Sequence, residues 1–207
     1  DSPETGSRPM SASASGFVPG SGAGAMVIES LESALERNAT IYAEILGGEV
    51  NSGGQRNEGS MTAPNSEAVQ RCIKNAIANS NITAKDIDAI NGHLTATSKD
   101  FTEIDNWSKA LNLKGNDFPY INSLKSMVGH CLSASGAIES VASVLQIHHN
   151  FIFPNINCED VNEQITSLIS EDKIPRNLIE KEVNIVAKAS FGFGDVNGCL
   201  IFKKFQQ

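Results

Sequence analysis

The sequence predicts an α/β domain, a mixed β-sheet flanked by helices. Three observations carry this expectation. Short apolar runs with strand alternation take turns with longer segments of helical period. Two strand-like runs, Val183–Ala189 and Gly198–Phe205, close the chain as a hairpin around the glycine loop Phe191–Asn197. The longest helical segment, Ser135–Asn150, starts with a small face (Gly136, Ala137, Ser140) and turns apolar (Val141, Val144, Leu145). A small face of that kind suits close packing on the middle of a sheet.

Taken in order, residues 1–21 are rich in Ser, Gly and Pro and have the composition of a linker. Gly22–Glu29 is a small-residue run leading into a short apolar strand, and Ser30–Arg37 reads as helix. Ile41–Val50 alternates as a strand (Ile41, Ala43, Ile45) that Gly47–Gly48 breaks, and a polar loop covers Asn51–Pro64. Ser66–Asn79 places Val69, Cys72, Ile73, Ala76 and Ile77 on one helical face, with Ser66 as the expected cap. Thr83–Asp86 is a turn of helix, Ile87–Asn91 a short strand, and Gly92–Lys99 a polar loop. Phe101–Leu111 repeats a helical period through Ile104, Trp107 and Leu111, and Pro119–Asn122 is a further strand. Ser123–Gly136, SLKSMVGHCLSASG, is a small-residue loop running into the long helix, and Phe151–Asn162 is mostly loop. No internal repeat is present.

Composition removes several function classes. The chain has 207 residues, 40% hydrophobic and 19% charged, enough for one domain with a sizeable core. A formal net charge of −8 gives no basic footprint for nucleic acid. Cys72, Cys131, Cys158 and Cys199 are scattered without zinc spacing and read as reduced thiols of a cytoplasmic protein. No apolar run approaches the ~18 residues that a membrane span needs, and the first residues show no basic-then-apolar signal pattern.

The unusual residues fall on three loops that follow strands: Asn91–Thr97, Lys125–His130 and Phe191–Asn197. Such loops at one sheet edge are where α/β folds bind ligands. His93 and His130 are therefore expected to converge, two neutral imidazoles donating N–H to an enolate or a tetrahedral oxyanion. Thr95 and Thr97 would hydrogen-bond an amide-rich ligand. Lys125 would add positive charge at the mouth of the site, with Glu103 holding it or a water. His148 and His149, near a helix end, read as a solvated pair.

Five motifs together resemble the C-terminal half of a β-ketoacyl–acyl-carrier-protein synthase of the thiolase fold. They are GFVPGSGAGAMVIE (Gly16–Glu29), TAPN (Thr62–Asn65), NGHLTAT (Asn91–Thr97), KSMVGHCLSASG (Lys125–Gly136) and SFGFGDVN (Ser190–Asn197). They span nearly the whole chain, and as a set they are highly specific. The resemblance implies a linker-like segment over 1–21 and a thiolase-like domain over 22–207. It implies that His93 and His130 are the two family histidines and Lys125 the family lysine before the second. Glu103 sits near the family glutamate, one residue closer to its histidine. Thr95 and Thr97 match threonines that meet pantetheine, and Phe191 and Phe193 belong to the gating loop, Phe193 as the gate. No cofactor and no metal are implied. The implied partners are an acyl carrier protein bearing acyl or malonyl phosphopantetheine, an N-terminal ketosynthase half, and a second subunit in a homo- or heterodimer.

There are departures. The family's N-A-H-G-T-G-T has Gly92, Leu94 and Ala96 here, Asp195 replaces the last glycine of G-F-G-G, and SASAS (Ser11–Ser15) replaces an aspartyl-rich stretch. They point to a divergent branch. The family nucleophile is a cysteine of the N-terminal half, with no counterpart here, so the chain reads as part of a longer one and as inactive alone. The implied reaction of the whole enzyme is decarboxylative Claisen condensation of malonyl carrier protein with an acyl-enzyme, in fatty-acid or polyketide-type synthesis. The alternative is a non-catalytic partner of the chain-length-factor type, against which His93, His130 and Lys125 together argue. A thiolase would carry a second cysteine where this chain has Phe191–Asp195.

Overall fold

The structure, a computed structural model, describes residues 2–206. Among the described residues seven strands and six α-helices follow in the order α1 (Leu31–Glu36), β1 (Glu44–Ser52), α2 (Ser66–Asn79), β2 (Ala89–Asn91), α3 (Asp100–Leu111), β3 (Tyr120–Asn122), α4 (Lys125–Val128), α5 (Ser135–His149), β4 (Phe151–Ile152), α6 (Glu163–Thr166), β5 (Ile179–Glu180), β6 (Ile185–Gly192) and β7 (Val196–Lys203). Five strands form the main sheet in the order β1-β7-β6-β2-β3. β1, β7 and β6 are antiparallel to their neighbours, whereas β6, β2 and β3 run parallel. The mixed sheet is as expected. Because β2, β3 and β6 point the same way, the loops after all three leave from one edge.

The strand period of two sorts the sheet into two faces. Ile90, Ala187, Ala189, Phe191 and Ile201 meet Val69, Cys72, Ile73, Ile104 and Trp107 of α2 and α3 in the larger core. On the other face Ala89, Val186 and Phe202 meet Ile147 and Val144 of α5. Polar residues of β2 and β3 on this second face also turn toward α5. Asn91 donates to Glu139 O at 2.9 Å and to Ser143 Oγ at 3.1 Å. Asn122 likewise donates to Gln146 Oε1 at 2.8 Å and Phe153 O at 3.0 Å. These buried amides tie the ends of β2 and β3 to α5, and leaving them unpaired would be costly.

Several expectations need correction. The segment expected as a linker is packed where it is described. Met10 is buried and donates its N–H to Asp100 Oδ2 at 2.8 Å, and Ser7 and Ser11 hydrogen-bond Lys125 O and Asp160. Small polar side chains look like linker in composition, but they also fit where a strap must satisfy buried carboxylates. Gly22–Glu29 forms no strand. It lies on α5 instead, where a Cβ on Gly24 would come within 2.7 Å of the Ile138 nitrogen. The helix cap is Asn65, whose side chain accepts from Ala68 N, not Ser66. Gly47–Gly48 does not break β1, since the register only shifts between Ile45 and Gly47 as a bulge. The glycine loop is shorter than expected, because Phe191–Gly192 and Val196–Asn197 still pair and only residues 193–195 turn.

Candidate active site

The loops after β2, β3 and β6 enclose a cavity of about 950 Å³, whose walls include His93, Thr95, Thr97, His130, Phe193 and Ser190. The two imidazoles meet edge to face with ring centroids 5.3 Å apart. Their expected convergence is therefore present, as is the placement of Thr95 and Thr97, whose hydroxyls lie 3.1 Å apart.

Each histidine is held by its loop. Glu103, on α3, accepts the backbone N–H of His93 at 2.7 Å and that of Leu94 at 2.8 Å, one on each oxygen. Asp100, one turn earlier, accepts the N–H groups of Thr95 and Ala96 at 2.9 and 3.1 Å. Burial pushes the Glu103 carboxyl up to about 7, against the pull of the His93 and Leu94 N–H groups. On the second loop, His130 donates its backbone N–H to Val18 O at 2.7 Å. Leu132 N–H donates to His130 Nδ1 at 3.0 Å. That bond occupies the Nδ1 lone pair and leaves the ring proton on Nε2. Leu132 reaches this geometry at φ 51°, a left-handed conformation that leucine rarely takes. Ser135 Oγ lies 3.0 Å from the same nitrogen, and Phe17 packs edge-on to the ring at 5.5 Å.

Both rings are held neutral. Burial, then the charges of Lys125 and Lys188, push His93 well below the ordinary histidine value. Burial and Lys125 lower His130 as well. Two neutral imidazoles side by side can offer N–H donors to a developing oxyanion.

Lys125 departs from expectation. It is buried rather than at the mouth, and its ammonium pairs with Glu139 of α5, not with Glu103. Lys188 of β6 meets the other Glu139 oxygen at 2.8 Å. Glu103 holds the His93 loop by its backbone. Glu139, Lys188, Ser135 and Phe17 are site neighbours that no spacing or period in the sequence marks as such. Glu139 sits on the buried face of α5, 14 residues beyond Lys125, and no local pattern links them.

Phe191 belongs to the core, stacked obliquely 6.5 Å from Trp107, while Phe193 stands 59% exposed on the turn beside the cavity. The unexpected Asp195 is fully buried behind that turn. Its carboxylate accepts Asn65 N–H at 2.7 Å and Gln55 N–H at 3.0 Å, fastening the polar loop after β1 to the turn. Gly53 and Gly59 fit there because a Cβ on either would collide with Asp195. The departures in the first loop are likewise accommodated. Leu94 is buried behind the loop, and a Cβ on Gly92 would lie 3.0 Å from its side chain.

A mixed sheet with helices on both faces, and paired histidines on its strand-end loops, define this molecule as half of a thiolase-like condensing fold. Residues 42–159 match the family model for the beta-ketoacyl synthase C-terminal domain, and the chain belongs to that family. All of it aligns, at 36% identity, with 42% of the chloroplastic 3-oxoacyl-[acyl-carrier-protein] synthase I of Arabidopsis thaliana. Among solved structures, the ishigamide ketosynthase/chain length factor superposes with a TM-score of 0.88 at 33% identity, over the whole chain and 48% of that protein. A type II polyketide ketosynthase in complex with its acyl-carrier protein gives a TM-score of 0.84 at 29% identity, over 98% of this chain and 48% of that one. The chain thus spans about half the length of the curated relatives it matches.

Proposed function

We propose that this chain supplies the enolate-handling half of a β-ketoacyl-acyl-carrier-protein synthase. In that reading a cysteine of the N-terminal half takes an acyl group from its carrier protein as a thioester. Malonyl carrier protein then enters the cavity past Thr95 and Thr97, which hydrogen-bond the pantetheine amides. Loss of carbon dioxide leaves an enolate whose oxygen accepts N–H bonds from His93 and His130. The enolate carbon attacks the acyl carbonyl, the cysteine thiolate leaves, and a β-ketoacyl carrier protein is released. Lys125, neutralised by Glu139, and Glu103 are positioning residues. Phe193 gates the acyl pocket, with Phe191 anchoring the gate. A dimer, and residence in a reducing compartment such as the cytoplasm, belong to the same reading. Among the described residues no helix is long and apolar enough to cross a membrane.

The observation that supports this most is the neutral, perpendicular histidine pair in the cavity. A chain-length-factor role gives such a pair nothing to do. His93→Ala and His130→Ala in the full-length protein are each expected to cut malonyl decarboxylation by ~10²–10³, with self-acylation of the nucleophile largely kept. Decarboxylation within a few-fold of wild type in either variant overturns the assignment.

A further inference from the structure

Two lysines share one carboxylate beneath this cavity. Lys125 and Lys188 both bond Glu139, and all three side chains are about 2% exposed. The three groups carry one positive charge in excess. Glu103, the carboxylate nearest in the same region, is committed to the backbone N–H groups of His93 and Leu94. A buried charge left over in this way needs an anion, water or strong dipoles to face.

The Lys188 ammonium donates to the Ala189 carbonyl and to Ser190 Oγ at 2.8 Å, and it stands 2.8 Å from Glu139 Oε2 as an ion pair. Since an ammonium can only donate, Ser190 must accept, and its own hydroxyl proton is left to donate elsewhere. Among the described residues no acceptor engages that proton. Ser190 lines the cavity with both histidines, and its Oγ lies beside Gly136 in the first turn of α5, 3.7 Å from where a Cβ would sit. An ammonium bonded to the lone pair of a hydroxyl also polarises it, making it a stronger donor.

We propose that Ser190, backed by Lys188, is the subsite for the carboxylate of the incoming malonyl group. This rests on the function proposed above and names the specificity determinant within it. The subsite holds a charge that departs as carbon dioxide, so it acts on the bound ground state. It should raise affinity for the malonyl substrate without raising the decarboxylation rate, and enzymes commonly divide binding and rate in this way. Lys188 is a positioning residue. The histidines, which meet the enolate oxygen, are a separate set of donors.

The test uses the full-length protein and follows decarboxylation of malonyl carrier protein. Ser190→Ala should raise KM about tenfold, the scale of one charge-assisted hydrogen bond, and leave kcat within twofold. Ser190→Thr should restore KM. Lys188→Met leaves Glu139 paired with Lys125, so the variant should stay folded, and it should show the same rise in KM. The double variant should be no worse than either single one. A parallel titration with malonate monoamide reads the same loss of affinity and needs no turnover, so it tests the subsite even if the wild type does not decarboxylate malonyl carrier protein. Unchanged KM and unchanged malonate monoamide binding in Ser190→Ala overturn the proposal. A fall in kcat at constant KM also overturns it, by making Ser190 an enolate donor.

Discussion

Ala96 holds φ 60° and is fully buried. A left-handed alanine costs about 1–2 kcal/mol. Glycine there would remove that cost but lose about 0.8 kcal/mol of methyl burial and about 0.5–1 kcal/mol of chain entropy. The terms nearly cancel, so Ala96→Gly should change stability by less than about 1 kcal/mol in denaturant unfolding. Ala76→Gly, buried in α2 at helical φ, lacks the compensation and should cost about 2 kcal/mol. Equal losses at the two sites would show that Ala96 is not strained. The histidines allow a second measurement. Their lowered values keep both rings neutral as pH falls through 6.5. Only below that does protonation of His130 Nδ1 force it to give up the Leu132 N–H. Histidine protonation should therefore contribute an acid limb to malonyl decarboxylation only below pH 6.5. The Glu103 carboxyl, pushed up to about 7, titrates separately, so a limb at or above 6.5 that persists in Glu103→Gln contradicts the neutral pair. At this scale the histidines and threonines were legible because each follows a short apolar run. The partner of Lys125 was not, since Glu139 lies 14 residues further on, on the buried face of α5, outside any local spacing rule.

The turn at residues 193–195 carries two side chains with opposite duties. Phe193 is exposed at the cavity rim, whereas Asp195 fastens the turn to the loop after β1. Gly194 N–H adds a bond to Met61 O at 2.9 Å. Phe193→Ala should shift acyl-chain preference in competition assays and leave the melting temperature nearly unchanged. Asp195→Ala strands backbone donors and should cost about 2 kcal/mol. A Phe193→Ala protein that melts early with unaltered preference would return that residue to the core. The helices α2, α3 and α5 could be read from their apolar period, and α2 was read to the residue. β4 and β5, at two residues each, are too short to leave a period. Gly22–Glu29 misled because an apolar run has no strand partner written into it. Its glycines answer to the surface of α5 instead.

At the level of the whole molecule, the cysteines decide what this chain can do alone. Burial pushes Cys72 up to about 11 and Cys158 up to about 12, and raises Cys199 further. Cys131 is buried under Gly20, where a Cβ would stand 3.0 Å from its sulfur. A nucleophilic thiolate needs a lowered value and access, so the 207-residue chain purified alone should form no condensation product. Incubation with acyl carrier protein followed by peptide mass spectrometry checks this. Stoichiometric acylation of one of these four cysteines, with product on adding malonyl carrier protein, refutes it. The strand order has a consequence for synthesis on the ribosome. Of the described strands β7 is made last, yet it sits between β1 and β6. β1 ends at Ser52 and β7 begins at Val196, so β1 must wait for a partner through roughly 7–30 seconds of translation. During that interval its open edge, with Ile45 and Val50 beside it, is free to pair with any other nascent chain. A chaperone that binds extended apolar segments would therefore find its main client stretch near residues 44–52, and a stall before residue 196 should leave an aggregation-prone intermediate rather than a smaller folded domain.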